Sequence, residues 1–147
     1  MTTLDATLTQ AYLDSHYYFY IDHHSQRLKI GQRSIISQQL LIPYPNQGAV
    51  LITAWNPFSQ LLDPYANDRA NQQLRQSLVA LKASILPAYG ASADGQWRED
   101  GFFAYPISRK TACELCYRYQ QNAAIFIDSG GMPELLLHPQ RILGNDT

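Results

Sequence analysis

Residues 49–54, Ala49-Val50-Leu51-Ile52-Thr53-Ala54, form an apolar run that stops at Trp55-Asn56-Pro57. A run of this kind and length reads as a strand buried on both faces. The strand therefore belongs inside a sheet, and its stop marks one end of that sheet. Asn56 before Pro57 ends the strand abruptly, because Pro has no N–H for a ladder and Asn suits a turn.

The neighbouring patterns give the rest of the order. Leu4 to Ser15 carries apolar residues at helical spacing, and Tyr17 to Ile21 is aromatic and β-prone. Leu28 to Ile30 reads as its partner strand, with Ser25-Gln26 in the turn. Ser34 to Leu41 fits a short helix, and Pro43, Pro45, Asn46 and Gly48 then break regular structure. Asp63 or Asn67 can cap a helix reaching about Ser84, with Leu74, Leu78, Leu81 and Ile85 on its apolar side. Ile85 to Ala91 reads as a strand, Ser92 to Asp100 as a polar loop, and Gly101 to Ile107 as a strand. Ser108 opens a helix to about Tyr119. Ala123 to Asp128 is a strand that turns at Ser129-Gly130-Gly131 and pairs back through Glu134 to Leu137.

From residue 49 the order is β-α-β-β-α-β plus an extra C-terminal strand. The expected fold is α+β: a ferredoxin-like split βαβ sheet with an N-terminal helix and hairpin extension. The 147 residues suit a single domain, with 1–48 as extension, 49–138 as α+β core and 139–147 as a loose tail.

Composition narrows the classes. A hydrophobic fraction of 46% against 16% charged residues describes a globular chain, not a disordered one. A net charge of -1 gives no basic footprint, so general nucleic-acid binding is not expected. No bilayer-spanning run and no signal-peptide pattern are present, so no membrane role is expected. Two cysteines without an export signal point to a cytoplasmic protein with reduced thiols. Ten tyrosines exceed what a core requires and suit an interface or a ligand cleft.

The expected topology gathers dispersed polar residues at one rim of the sheet. Trp55, Asn56 and Ser59 leave the first core strand there. Asn67 and Asn71 lie on the early turns of the following helix. Asp94, Gln96, Trp97, Arg98 and Glu99 form the loop, and Gln120, Gln121 and Asn122 enter the last core strand. Side-chain amides offer both donors and acceptors, and the tryptophans can stack on a ring or wall a pocket. The expected ligand-binding set is Trp55, Asn56, Ser59, Asn67, Asn71, Trp97, Glu99, Gln121 and Asn122. A purely structural reading stands beside it: Asn56 can tether its own turn, and Gln121-Asn122 can close the preceding helix.

These residues also carry a resemblance. Thr53-Ala54-Trp55-Asn56-Pro57-x-Ser59, Asn67 and Asn71, Asp94-Gly95-x-Trp97-x-Glu99 and Gln121-Asn122-Ala123 resemble an uncharacterised bacterial domain-of-unknown-function family. The resemblance runs roughly from the Tyr17 strand to Leu137. It implies a site location and no particular chemistry. The chain departs from the family pattern where Asp100-Gly101-Phe102 follows Glu99 in place of Pro-Ser-Phe, and where Gln120 replaces a Gly.

Other motifs carry little. Asp22-His23-His24 looks like a fragment of a metallophosphoesterase site, but the further ligands do not follow and a hairpin turn fits. Cys113 and Cys116 share a helix face without a second ligand pair, which favours core packing. No nucleophile elbow is present. No cofactor or metal is expected. The leading expectation is a non-catalytic binding module for a small polar ligand or a protein segment. In that case Asn56→Ala and Asn122→Ala remove binding and leave unfolding almost unchanged. The alternatives are a hydrolase or transferase using Glu99 or Asp94, with Asn56 or Asn122 polarising the substrate, and an assembly protein that forms a homodimer through its last strand.

Overall fold

The computed structural model describes residues 6–57 and 60–138. In chain order these are α1 (Ala6–Asp14), β1 (His16–Ile21), β2 (His24–Leu28), α2 (Ile35–Leu40), β3 (Gly48–Ile52), α3 (Pro64–Ala80), β4 (Ser84–Ala91), β5 (Arg98–Ile107), α4 (Arg109–Arg118), β6 (Ala123–Ile127) and β7 (Pro133–Leu137). The strands form one antiparallel seven-stranded sheet in the order β2-β1-β4-β5-β3-β6-β7. The fold is therefore α+β. The N-terminal hairpin extends the sheet through β1 on β4, with Tyr18 opposite Tyr89.

All five residues of β3 are buried, and alternation explains why. Val50 and Ile52 face α3 and α4, packing with Leu74, Leu78, Leu115 and Cys116. Ala49 and Leu51 face the opposite side, where Phe19, Leu28, Leu41, Phe103 and Ile127 form a second cluster. The rings of Phe19 and Phe103 stack there with centroids 4.0 Å apart. Both sides of the sheet are thus covered, as an apolar strand requires. The helix starts are set by capping side chains: Asp63 accepts from the Ala66 N–H, and Ser108 from the Thr111 N–H.

Three local expectations need correction. The first hairpin turns at Asp22-His23, both with positive φ, so Ser25 and Gln26 lie inside β2. Asp and His tolerate that backbone region more readily than β-branched residues do. The helix α3 stops at Ala80, where Leu81 closes it and Lys82 turns with φ 60, leaving Ile85 to β4. Most important for the site, β5 starts at Arg98, and Glu99 is a strand residue opposite Gly90. The tail expected after Pro139 lies outside the described residues, as does Ser59.

Candidate functional site

The strand register fixes one end of the sheet. The C-terminal ends of β3 and β4 lie beside the N-terminal ends of β5 and β6, because Ile52 pairs with Phe102, Leu51 with Ile125, and Ala91 with Arg98. Most of the expected rim residues meet there. Asn67 Oδ1 accepts from the Asn56 N–H at 2.9 Å, and Asn67 Nδ2 donates to Asn56 Oδ1 at 2.9 Å. Asn56 Oδ1 also accepts from the Leu62 N–H at 3.0 Å, and its Nδ2 donates to Glu99 Oε2 at 3.0 Å. Asn71 bridges two strands, accepting from the Ala54 N–H at 2.9 Å and donating to the Asp100 carbonyl at 2.8 Å. Gln121 Nε2 donates to the Trp55 carbonyl at 3.0 Å.

These bonds have a clear physical sense. Asn56 adopts φ 48, which Asn accepts at lower cost than most residues, and the chain leaving β3 there loses its ladder. Buried backbone groups need partners. The amides of Asn56, Asn67 and Asn71 supply them, and Asn56 and Asn67 are themselves buried. Asn122 is buried at the head of β6, where its carbonyl accepts from the His138 N–H.

A cavity of about 380 Å³ opens beside this network, between α1 and the sheet face opposite α3 and α4. Its walls are largely apolar, including Leu8, Leu51, Ile125 and Leu135. Small residues at the strand ends leave the space: Gly90, Gly101 and Ala123. At Gly101 a Cβ would run into the Ile52 carbonyl, so only Gly permits this approach of β3 to β5 without a shift. Of the expected set, Trp97, Glu99 and Gln121 line the cavity. Trp55, Asn56, Asn67, Asn71 and Asn122 stand behind or beside it. Tyr17, Thr53 and the helix α1 also contribute, and the sequence patterns had not singled them out.

Glu99 is the distinctive group. Burial raises its carboxyl above the usual carboxylate range, partly offset by hydrogen bonds from Asn56 and Trp97. Tyr17 also lines the cavity, and burial raises its phenol as well. Asp94 differs: it is fully exposed, and hydrogen bonds from Ser92 and the Gln96 backbone lower its pKa. On the other face, Arg98 lies 3.8 Å over the Tyr89 ring and pairs with Asp100 at 2.9 Å. Alternation along β5 thus sends Arg98 and Asp100 one way and Glu99 the other.

A pH dependence follows from Glu99. Its raised folded-state pKa means that, between the unfolded and folded values, the native state holds more of this proton than the unfolded chain does. Its contribution to stability is full below the unfolded value and is lost as pH rises through the folded value. Glu99→Gln removes this loss. The variant is expected to be the more stable protein at neutral pH, with the two converging below about pH 4. Urea unfolding across that range checks this; a difference independent of pH assigns the effect to another cause.

The remaining motifs occupy ordinary structural positions. Asp22-His23 is the exposed hairpin turn. Cys116 packs in the core, and burial pushes its thiol up to about 12, while Cys113 is half-buried beside it. No group of three His, Cys, Asp or Glu among the described residues is arranged to hold a metal ion. No helix among them is long and apolar enough to cross a membrane.

Comparison with known proteins gives one family match. Residues 52–124 match the family described as Protein of unknown function (DUF3293). The DUF3293 match covers just under half of the chain and runs from the end of β3 to the second residue of β6. It contains Asn56, Asn67, Asn71, Trp97, Glu99, Gln121 and Asn122, so the whole network lies inside it. The helix α1 and Tyr17, which complete the cavity, lie outside. No curated protein and no solved structure matches the chain.

Proposed function

We propose that this chain is a non-catalytic binding module. Its pocket beneath α1 takes a small ligand with an apolar body and one polar group. The observation that carries this reading is a largely apolar cavity of about 380 Å³ with the Glu99 carboxyl in its wall. Trp97, Glu99 and Gln121 are the contacts. Asn56, Asn67 and Asn71 hold the strand ends that present them. The ligand is less polar than the amide-rich rim by itself suggests. We read β3-α3-β4-β5-α4-β6 as a ferredoxin-like split βαβ unit, a reading supported by the strand order β4-β5-β3-β6 and the two helices on one face. A bacterial, cytoplasmic setting fits the family resemblance and the two free thiols.

The test uses prodan, a neutral naphthalene dye whose emission shifts to the blue in apolar surroundings. Saturable, blue-shifted binding is expected. Ala123→Leu fills the pocket from its floor and should weaken binding at least about tenfold while the far-UV circular dichroism is unchanged. Binding that does not saturate, or that is equal in the variant, removes the reading.

One observation also favours catalysis: a carboxyl raised by burial inside a cavity suits general acid–base work. Asn56 is poorly suited to polarise a substrate in that scheme, because its Nδ2 already donates to Glu99. Assembly through a sheet edge is supported only by the position of β7 at the end of the strand order.

A further inference from the structure

The donors and acceptors around the pocket are unequally committed. The Ser15 hydroxyl donates to the Ala11 carbonyl at 2.6 Å, and the Tyr17 hydroxyl to the Tyr12 carbonyl at 2.5 Å. The Thr53 hydroxyl donates to the Asp100 carbonyl at 2.5 Å, and the Ser92 hydroxyl to Asp94 Oδ1 at 2.7 Å. Gln121 spends its amide on the Trp55 and Tyr119 carbonyls. Each of these wall residues thus turns its hydrogens back into the protein.

Glu99 is the opposite case. An ionised carboxylate has about four acceptor positions. Asn56 and Trp97 account for two. Both are donors, which favours the acceptor-only form of the carboxyl. No Lys, Arg or His lines the pocket among the described residues. The carboxyl is therefore half-buried with hydrogen-bond support and without a countercharge. Much of its desolvation cost is met on folding, so a bound cation gains attraction without bearing that part again.

Building on the binding-module reading above, we propose that the ligand is an amphiphilic amine. Its ammonium group sits on Glu99, and its apolar body fills the cavity between α1 and the strand ends. An ammonium supplies positive charge, which the wall lacks, and donors beyond those of Asn56 and Trp97. A ligand carboxylate would meet Glu99 as a like charge. An alcohol supplies one donor and no charge.

Displacement of prodan by three matched compounds tests this: 4-phenylbutylamine, 4-phenylbutan-1-ol and 4-phenylbutanoate. In the unmodified protein the amine should bind at least about tenfold more tightly than the alcohol, and the carboxylate more weakly than either. In Glu99→Gln the advantage of the amine over the alcohol should vanish. Equal binding of amine and alcohol, or an amine preference that survives in Glu99→Gln, overturns the amine assignment and leaves the pocket reading standing if prodan still binds. Absence of prodan binding removes both.

Discussion

Replacing Asn56 with alanine is expected to destabilise the fold by roughly 3 kcal/mol or more. The side chain is buried and makes three hydrogen bonds, to the Leu62 N–H, to Asn67 Nδ2 and to Glu99. Alanine leaves the Leu62 N–H without its side-chain acceptor, and Asn67 Nδ2 keeps only a 3.5 Å contact with the Leu62 carbonyl. Unsatisfied buried groups cost more than the bonds contribute, so the loss exceeds a simple count. Alanine also pays more than asparagine for φ 48. This reverses the expectation from sequence, in which Asn56 served a ligand and its loss spared stability. Asn56→Asp sharpens the test. It keeps the shape and the acceptor but sets a second carboxylate against Glu99, so its defect should be largest at neutral pH. The defect should shrink in acid, where the pair can share a proton. Urea unfolding followed by circular dichroism reads both variants. An Asn56→Ala protein within about 1 kcal/mol of the parent would mean that the network is dispensable.

The second large effect concerns Phe19. Its side chain is fully buried and stacks on Phe103, which joins the N-terminal hairpin to the centre of the sheet. Phe19→Ala should cost about 3–5 kcal/mol, the usual range for deleting a buried phenyl group. The unfolding transition should stay single, because β1 is laddered to β4 and packs with Leu51 and Ile127 from the central strands. Hydrogen exchange should show the protection of β5 and β6 falling together with that of β1. A hairpin that melts early while β5 and β6 keep their protection would make residues 1–48 an independent appendage.

Much of the architecture was legible because it follows local rules. The apolar run of β3 read as a fully buried strand, and the caps at Asp63 and Ser108 marked helix starts. The meeting of Asn56, Asn67, Glu99 and Gln121 followed from topology. What sequence obscured was their purpose. Amides at a rim read equally well as ligand contacts and as partners for a strand leaving its ladder, and in the structure Asn56 makes the second kind of bond. Glu99 reads as a loop residue because it closes the polar stretch from Ser92 to Asp100, which includes the charged triplet Arg98-Glu99-Asp100. The strand tolerates that triplet since Arg98 and Asp100 pair on the outer face and Glu99 turns inward. The pocket was hidden for a different reason. It depends on α1 lying over strand ends that are distant in sequence, and its trace is only the small residues Gly90, Gly101 and Ala123. On the proposed reading, the stop at Trp55-Asn56-Pro57 marks the frame of the site, and Glu99 its chemistry.

The most direct measurement is a ¹H–¹⁵N correlation spectrum of the protein titrated with prodan. The largest shifts should fall on the Trp97 indole N–H, which bonds Glu99, and on the backbone amides of Gly90 and Gly101 in the pocket wall. Shifts centred instead on Tyr18, Tyr89 and Arg98 of the outer face, or no shifts at saturating dye, would contradict a ligand site beneath α1.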